Sequence, residues 1–251
     1  MKSRNTSKFK VTPGTGTVAS VCGRYVQASS PDLLAERFGV DDVRVDEHEP
    51  RYNVAPRVEV PAVRRRKDRT VLSLLRWGLV PSWAKDPKVG DRQINARAES
   101  LLDKPAFRTA FARRRCLIPA DGFYEWKAVP GHKRKQPMFV HRRDGEPMAF
   151  AGLWEVWRER PDDDWLRTCA IVTTEPNDLL APIHDRMPVV LPESAWGTWL
   201  DPDADPDTLQ GLLVPAPAEL LVVYPVGTLV SSADNEGPEL VRELAPDEVM
   251  T

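Results

Sequence analysis

A cysteine, an asparagine, a glutamate and a histidine stand in four short segments: VCGRY at 21–25, INARAES at 94–100, DGFYEW at 121–126 and APIHDRMPVVL at 181–191. Each segment reads as a place where a strand end meets a loop. Cys22, Asn95, Glu125 and His184 form a chemically complete set: a soft nucleophile, an amide to hold it, a carboxyl group to move protons and an imidazole as second acid or base. Singly, each has an ordinary reading. Glu125 between Tyr124 and Trp126 fits a strand-edge carboxylate, His184 beside Asp185 and Arg186 a structural loop histidine, and Cys22 a small buried hydrophobe.

The same residues exclude other chemistries. Cys22, Cys116 and Cys169 do not combine with His48, His132, His141 or His184 at ligand spacing, and no glycine-rich phosphate loop occurs, so neither a metal nor another cofactor is expected. Three cysteines make no disulfide framework, which points to a reducing, cytoplasmic setting.

The elements that must position these side chains are mostly short strands. Candidates are Val58–Val63, Val71–Leu75, Cys116–Ile118, Met138–Val140, Met148–Trp154, Thr168–Thr173 and Leu220–Tyr224, after an alternating start at VCGRYVQ. Ser30-Pro31-Asp32 reads as the cap and first turn of a helix through Leu33, Leu34 and Phe38. Further helices are expected over Lys104–Arg113, Asn177–Ala181, Glu193–Leu200 and Asp207–Leu213. Without a βαβ rhythm, this is an α+β domain dominated by strands. Proline at 24 of 251 residues, with 41% hydrophobic and 29% charged residues, fits a globular chain rich in turns, and no apolar run approaches the roughly 18 residues of a membrane span.

The net charge of −2 conceals an uneven distribution. Between residues 51 and 143, basic residues outnumber acidic ones 23 to 8, whereas the rest of the chain carries 12 against 29. Such polarity suggests a basic face that meets phosphates, with a merely solvated surface as the bland alternative. Trp77, Trp83 and Trp126 lie in the basic segment, and stacking on a base is worth roughly 1–3 kcal/mol. Trp77 and Trp126 are the candidate base contacts, whereas Trp154, Trp157, Trp165, Trp196 and Trp199 are expected in the core. The runs Arg64–Lys67 and Lys133–Lys135 are expected on hairpin tips, adding unspecific attraction.

With CGRY, RYNVAP at 51–56, RWGLVPSW at 76–83, INARAE, IPADGFYEW and PIHDRMPVVL in this order, the chain from about Cys22 to Glu239 resembles the SRAP family, the SOS response-associated peptidase fold of abasic-site DNA–protein crosslinking proteins. The resemblance implies a single domain with a barrel-like antiparallel β core and flanking short helices, and a positive cleft for single-stranded DNA. It makes Cys22, Asn95, Glu125 and His184 the catalytic set and matches Arg24 and Arg97 to phosphate-contacting arginines. The implied partner is single-stranded DNA containing abasic sites, met in the cytoplasm as part of the damage response by a monomer that binds no membrane. A thiol peptidase or amidohydrolase using Cys22 and His184, and a noncovalent single-stranded DNA module, are the alternatives.

Two departures accompany the resemblance. The family carries its cysteine directly after the initiator methionine, whereas twenty-one residues precede Cys22, and Tyr224 and Ser231 stand where the family has histidine and asparagine. An abasic sugar in its open form presents an aldehyde, and only an N-terminal cysteine offers both an α-amine and a thiol to close a thiazolidine. An α-amine with a pKa of about 7.7–8.0 is partly neutral at cytosolic pH. Residues 1–21 are therefore expected to be a disordered leader absent from the mature protein, followed by a catalytic domain over 22–245 and a tail at 246–251. Val21 occupies the place of the family's methionine, and a GTG codon reads as valine within a gene but as methionine at its start. Arginine outnumbers lysine 25 to 10, as in GC-rich coding, which favours that route over self-cleavage before Cys22.

Overall fold

The computed structural model of the protein describes residues 23–46 and 49–250. Strand β1 (Tyr25–Gln27) leads into helix α1 (Pro31–Phe38), and three strands follow, β2 (Asp42–Val43), β3 (Arg51–Val54) and β4 (Glu59–Arg66). Next come β5 (Arg69–Trp77), the short β6 (Asn95–Arg97), α2 (Pro105–Arg113) and strands β7 (Arg115–Ala120), β8 (Gly122–Lys127) and β9 (Gln136–Arg142). The chain continues through β10 (Met148–Trp157), β11 (Leu166–Thr174), β12 (Met187–Pro188), α3 (Glu193–Leu200), α4 (Pro206–Gly211) and β13 (Leu221–Pro225). The start of α1 is encoded locally: Ser30 Oγ accepts from Leu33 N, Pro31 takes the first helical position, and Gly39 at φ +59° ends it with left-handed backbone.

Strands β5, β4, β7, β10 and β11 pair antiparallel in that order, and β11 returns to β5 in parallel through Thr168 to Arg76 and Cys169 to Trp77. The return closes a five-stranded barrel and leaves these strands no continuous open edge. A second sheet, in the order β13, β9, β8, β1, β3, lies against it. Alternation along each barrel strand divides the core. Ala149, Ala151 and Leu153 of β10 join Leu34, Phe107, Phe111 and Trp199 from the helices, while Met148 and Phe150 join Tyr25, Phe123 and Val140 of the second sheet. Gly152 stands where β7 comes close, since a Cβ there would lie 2.7 Å from Cys116 Sγ.

The α+β class and the β core with short flanking helices agree with the sequence expectation, as do α1, α2 and α3. Asn177–Ala181 does not: it forms consecutive turns, tied by Leu180 N to Asn177 O at 3.1 Å, and Pro182 follows before a helix can propagate. Trp165 is also corrected, being 46% exposed beneath Arg158 rather than in the core, and Trp154 is only partly buried. Arg64 lies within β4 and is buried, so only the later part of the Arg64–Lys67 run reaches the hairpin tip. Cys22 and residues 1–21 lie outside the described residues, as does His48.

Candidate functional site

Strand alternation brings Glu125 inward. On β8, Phe123 and Glu125 share the face that meets the barrel, whereas Tyr124 and Trp126 face a smaller cluster with Val26, Phe139 and Tyr224. Glu125 is 1% exposed. Its Oε2 lies 3.8 Å from His184 Nε2, so the sequence-distant pair is brought together across the loop between β11 and β12. That loop is anchored in steps: Asn177 Nδ2 donates to Ala216 O at 2.8 Å, Asn177 Oδ1 accepts from Leu180 N at 3.0 Å, and His184 N donates to Leu180 O at 3.0 Å.

His184 has two possible partners on one nitrogen. Nδ1 lies 3.1 Å from the Arg186 backbone N–H and 2.9 Å from Asp185 Oδ1. The first contact needs the Nδ1 lone pair and the second a proton there, so the two belong to different protonation states. Burial pushes the His184 pKa down and Lys135 adds to that, against the opposing pull of Asp185. The neutral ring is thereby favoured, with Nδ1 accepting from Arg186 N–H and Nε2–H directed to the Glu125 side.

Arg186 braces this loop. Its guanidinium donates to both oxygens of Glu99 at 2.7 and 3.0 Å and to Thr173 O at 2.6 Å. Glu99 follows β6, which runs parallel to β11 with Asn95 opposite Ile171 and Arg97 opposite Thr173. The partly buried Asn95 and the exposed Arg97 thus enter the same region from one short strand. Glu99 and Arg186 lie inside the quoted motifs, yet nothing in their types marks them as a pair until β6 and β11 are aligned.

Trp77 requires correction as a base contact. It is fully buried, its ring meets Tyr25 edge-on at 5.3 Å, and its Nε1 donates to Ile94 O at 2.8 Å. Its role is to buttress the residue before Asn95. Trp126 is partly exposed, with Nε1 donating to Ser231 Oγ at 3.2 Å. Tyr224 donates from its hydroxyl to Val241 O at 3.0 Å and stands edge-on to His141.

Arg24 is partly internal as well. Its Nη1 donates to Asn53 Oδ1 and to Val230 O, each at 2.9 Å, and desolvation lowers its pKa against the attraction of Asp234 and Glu236. Asn53 was not anticipated as a key residue. Fully buried in the RYNVAP segment, it donates from Nδ2 to Ser232 O at 2.7 Å and Asn235 O at 2.9 Å, tying β3 to the C-terminal loop. The Arg24 carbonyl accepts from Tyr124 N at 3.0 Å. The chain therefore enters through Gly23 alongside the strand that carries Glu125.

Exposed Lys127, Lys133, Arg134 and Lys135 lie at the β8–β9 turn beyond Glu125, with Lys135 acting on His184, but other cations of the basic segment are engaged internally. Arg76 pairs with Asp91, and buried Arg115 donates to the carbonyls of Phe111, Ala112 and Trp199. Among the described residues no cluster of three or more His, Cys, Asp or Glu is placed to hold a metal ion, and no helix is long and apolar enough to cross a membrane.

A closed barrel with a second sheet at its side, a buried carboxyl facing an imidazole, and an amide and an arginine on the neighbouring short strand define one class of protein. The chain belongs to the SOS response associated peptidase (SRAP) family, whose model matches residues 21–233. Among its relatives, the abasic site processing protein YoqW of Bacillus subtilis is 45% identical over 224 residues, covering 88% of this chain and 99% of YoqW. The abasic site processing protein YedK of Escherichia coli is 32% identical over 228 residues, covering 88% and 99%. The abasic site processing protein HMCES of Gallus gallus is 31% identical over 239 residues, covering 83% and 70%. In fold, the chain superposes on a crystal structure of a Bacteroides thetaiotaomicron protein with a TM-score of 0.81 at 23% identity, covering 89% of this chain and all of the other.

Proposed function

We propose that the protein processes abasic sites in DNA and does so by forming a thiazolidine crosslink between Cys22 and the abasic sugar in single-stranded DNA, in the cytoplasm. The relatives' names support the abasic-site role. The observation that carries the chemistry is the buried Glu125 with His184 Nε2 at 3.8 Å, beside the strand along which the chain enters from Gly23.

The neutral α-amine of Cys22 adds to the aldehyde carbon, and loss of water leaves an imine. The thiol then adds across the C=N bond, sulfur to carbon and proton to nitrogen, closing a five-membered ring with nothing oxidised or reduced. His184 Nε2–H donates to the sugar oxygen as the furanose opens, Glu125 carries protons during imine formation and reversal, and Asn95 orients the cysteine. Arg97 and the outward part of Arg24 grip the flanking phosphates, and Trp126 offers a stacking face. Trp77 has no part in binding.

This scheme needs Cys22 as the first residue. The test is incubation of the chain beginning at Cys22, and of the chain retaining residues 1–21, with an abasic oligonucleotide, followed by denaturing gel electrophoresis and intact-mass analysis. The expected result is a denaturation-stable adduct only with the free Cys22 amine, lost in Cys22→Ala. An adduct on a chain with its leader still attached refutes the amine mechanism. Release of a peptide without an adduct favours the thiol peptidase, and DNA affinity alone, indifferent to Cys22→Ala, the noncovalent module.

A further inference from the structure

Away from this site the structure holds a cation that no carboxylate neutralises. Arg64, on β4, is 7% exposed. Its Nε donates to the neutral Ser73 Oγ at 3.1 Å, and its guanidinium lies over the Trp154 ring, 5.0 Å from the centroid. Among the described residues Arg64 forms no ion pair. Burial lowers its pKa most, and Arg167, Arg66 and Arg44, all of its own sign, lower it further against an opposing effect of Cys116. Arg44 is paired with Asp42, which also attracts Arg66 at longer range, whereas Arg66 and Arg167 are exposed and form no close ion pair among the described residues. Val71, which faces Arg64 across the β4–β5 ladder, lines a shallow surface cavity with Arg44, Arg66, Lys67 and Arg69, which also includes Asp42 and Asp68.

Burying much of a guanidinium without a paired carboxylate is unfavourable, and contact with an indole face offsets that only in part. Sequence alternation makes the arrangement specific. Val60, Ala62 and Arg64 share one face of β4, so the arginine occupies a position of the apolar series at one end of the barrel. Buried Arg115, also without a carboxylate, is served by the carbonyls of Phe111, Ala112, Trp199 and Asp201, whereas Arg64 donates to one hydroxyl and further arginines act on it. Guanidinium groups hold phosphoryl oxygens through paired N–H donors, and several together favour a doubly charged anion over chloride.

We propose that Arg64, Arg66 and Arg167, beside Trp154, form a binding site for a phosphoryl oxyanion separate from the crosslinking cleft. On β11, Arg167 lies six residues from Thr173, the partner of Arg97, or about 20 Å along an extended strand. One phosphate cannot occupy both places. The oxyanion comes either from free phosphate and its small esters or from a distant part of a bound DNA strand.

Thermal unfolding in inorganic phosphate against chloride at equal ionic strength tests the site. Phosphate at about five times its dissociation constant is expected to raise the Tm of the wild type by about 2–4 °C. The exposed Arg167→Ala variant, which leaves the core untouched, and the volume-conserving Arg64→Met variant should each lose most of that rise. An equal rise in wild type and Arg167→Ala, as phosphate in the Arg97 region alone would give, overturns the proposal, and so does no rise in the wild type. Oligonucleotide length then identifies the source. If Arg167→Ala weakens binding of a long strand several-fold and leaves a five-nucleotide strand unaffected, the site takes the DNA backbone; if neither changes while the phosphate effect is lost, it takes the free anion. Crosslinking to a short abasic oligonucleotide is expected to be unchanged by Arg167→Ala, so this proposal and the thiazolidine chemistry stand or fall separately.

Discussion

Replacing Asn53 should loosen the C-terminal edge of the site and free one bond of Arg24 without touching the groups assigned to proton transfer. The amide has two N–H bonds, and three carbonyls stand within reach: Ser232 O at 2.7 Å, Asn235 O at 2.9 Å and Val230 O at 3.3 Å. Its Oδ1 receives Arg24 Nη1 at 2.9 Å, and that nitrogen also reaches Val230 O. Asn53→Ala therefore removes two good neutral hydrogen bonds and one charge-assisted bond, while Val230 O keeps Arg24. Neutral bonds contribute about 1 kcal/mol net and bonds to charged groups about 1.5–3 kcal/mol. Ser232 is exposed, so its carbonyl is readily rehydrated, and the loss should fall near 3 kcal/mol. For a domain of this size that is a Tm decrease of roughly 6–12 °C. Hydrogen exchange should rise most at residues 228–236. Asn53→Asp separates the halves: it keeps an acceptor for Arg24 but directs a carboxylate at carbonyl oxygens, so the loop should still be released. A Tm decrease below about 2 °C, or unchanged exchange at 228–236, would refute the reasoning.

Trp77→Ala should cost roughly 3–5 kcal/mol of stability through its cavity, whereas Trp126→Ala should leave stability nearly unchanged and weaken single-stranded DNA binding about 5- to 150-fold; unfolding curves and fluorescence titrations distinguish them. Glu99→Gln should slow crosslinking by loosening Arg186 and the His184 loop, with DNA affinity within a few-fold and a stability loss of about 1 kcal/mol at this half-exposed pair; unchanged crosslinking kinetics would remove the positioning role. His184 has a lowered pKa in the fold, so as pH falls through the unfolded value of about 6.5 the unfolded chain takes the proton first and folding stability declines. Wild type should lose stability relative to His184→Gln between pH 7.5 and 5.5, and parallel Tm profiles would contradict this. Arg97→Ala should weaken binding alike on all sequences and reduce the slope of log affinity against log salt by about 0.7, the share of one phosphate on a single strand; an unchanged slope sinks its phosphate role.

What the sequence made legible follows from the range of the forces involved. Helix α1 is written in adjacent residues, since Ser30, Pro31 and Gly39 set its two ends by hydrogen bonding and backbone freedom alone. Asn177–Ala181 ends in three consecutive apolar residues, which do not by themselves decide between helix and turn, and Pro182 with the Asn177 side chain settles it as turns. The grouping of Glu125 with His184 came from chemical type, and the 3.8 Å between them is consistent with it. The bond from Arg186 to Glu99 was illegible, because it depends on β6 lying parallel to β11, a pairing between segments more than seventy residues apart.

Trp77 and Arg64 expose the same weakness in reading charge along a chain. Both lie in the basic segment, and proximity in sequence to arginines suggests proximity to phosphate. Along β5, however, Val71, Ser73, Leu75 and Trp77 share one face while Arg76 lies on the other, and along β4 the inward face is Val60, Ala62 and Arg64. A period of two thus sends the tryptophan into the core beside arginines that remain outside, and draws one arginine in. The excess of 23 cations over 8 anions is therefore divided by strand parity rather than displayed as one surface. Arg97 and Lys133–Lys135 fall toward the edge that carries Glu125 and His184, Arg115 is consumed by carbonyls, and Arg64 is left buried with Arg66 and Arg167 acting on it. Because the two outward-directed groups lie apart on the barrel, ionic strength should act on them independently, and if the Arg66–Arg167 group takes the DNA backbone, a strand long enough to span both should show a steeper salt dependence than a short one.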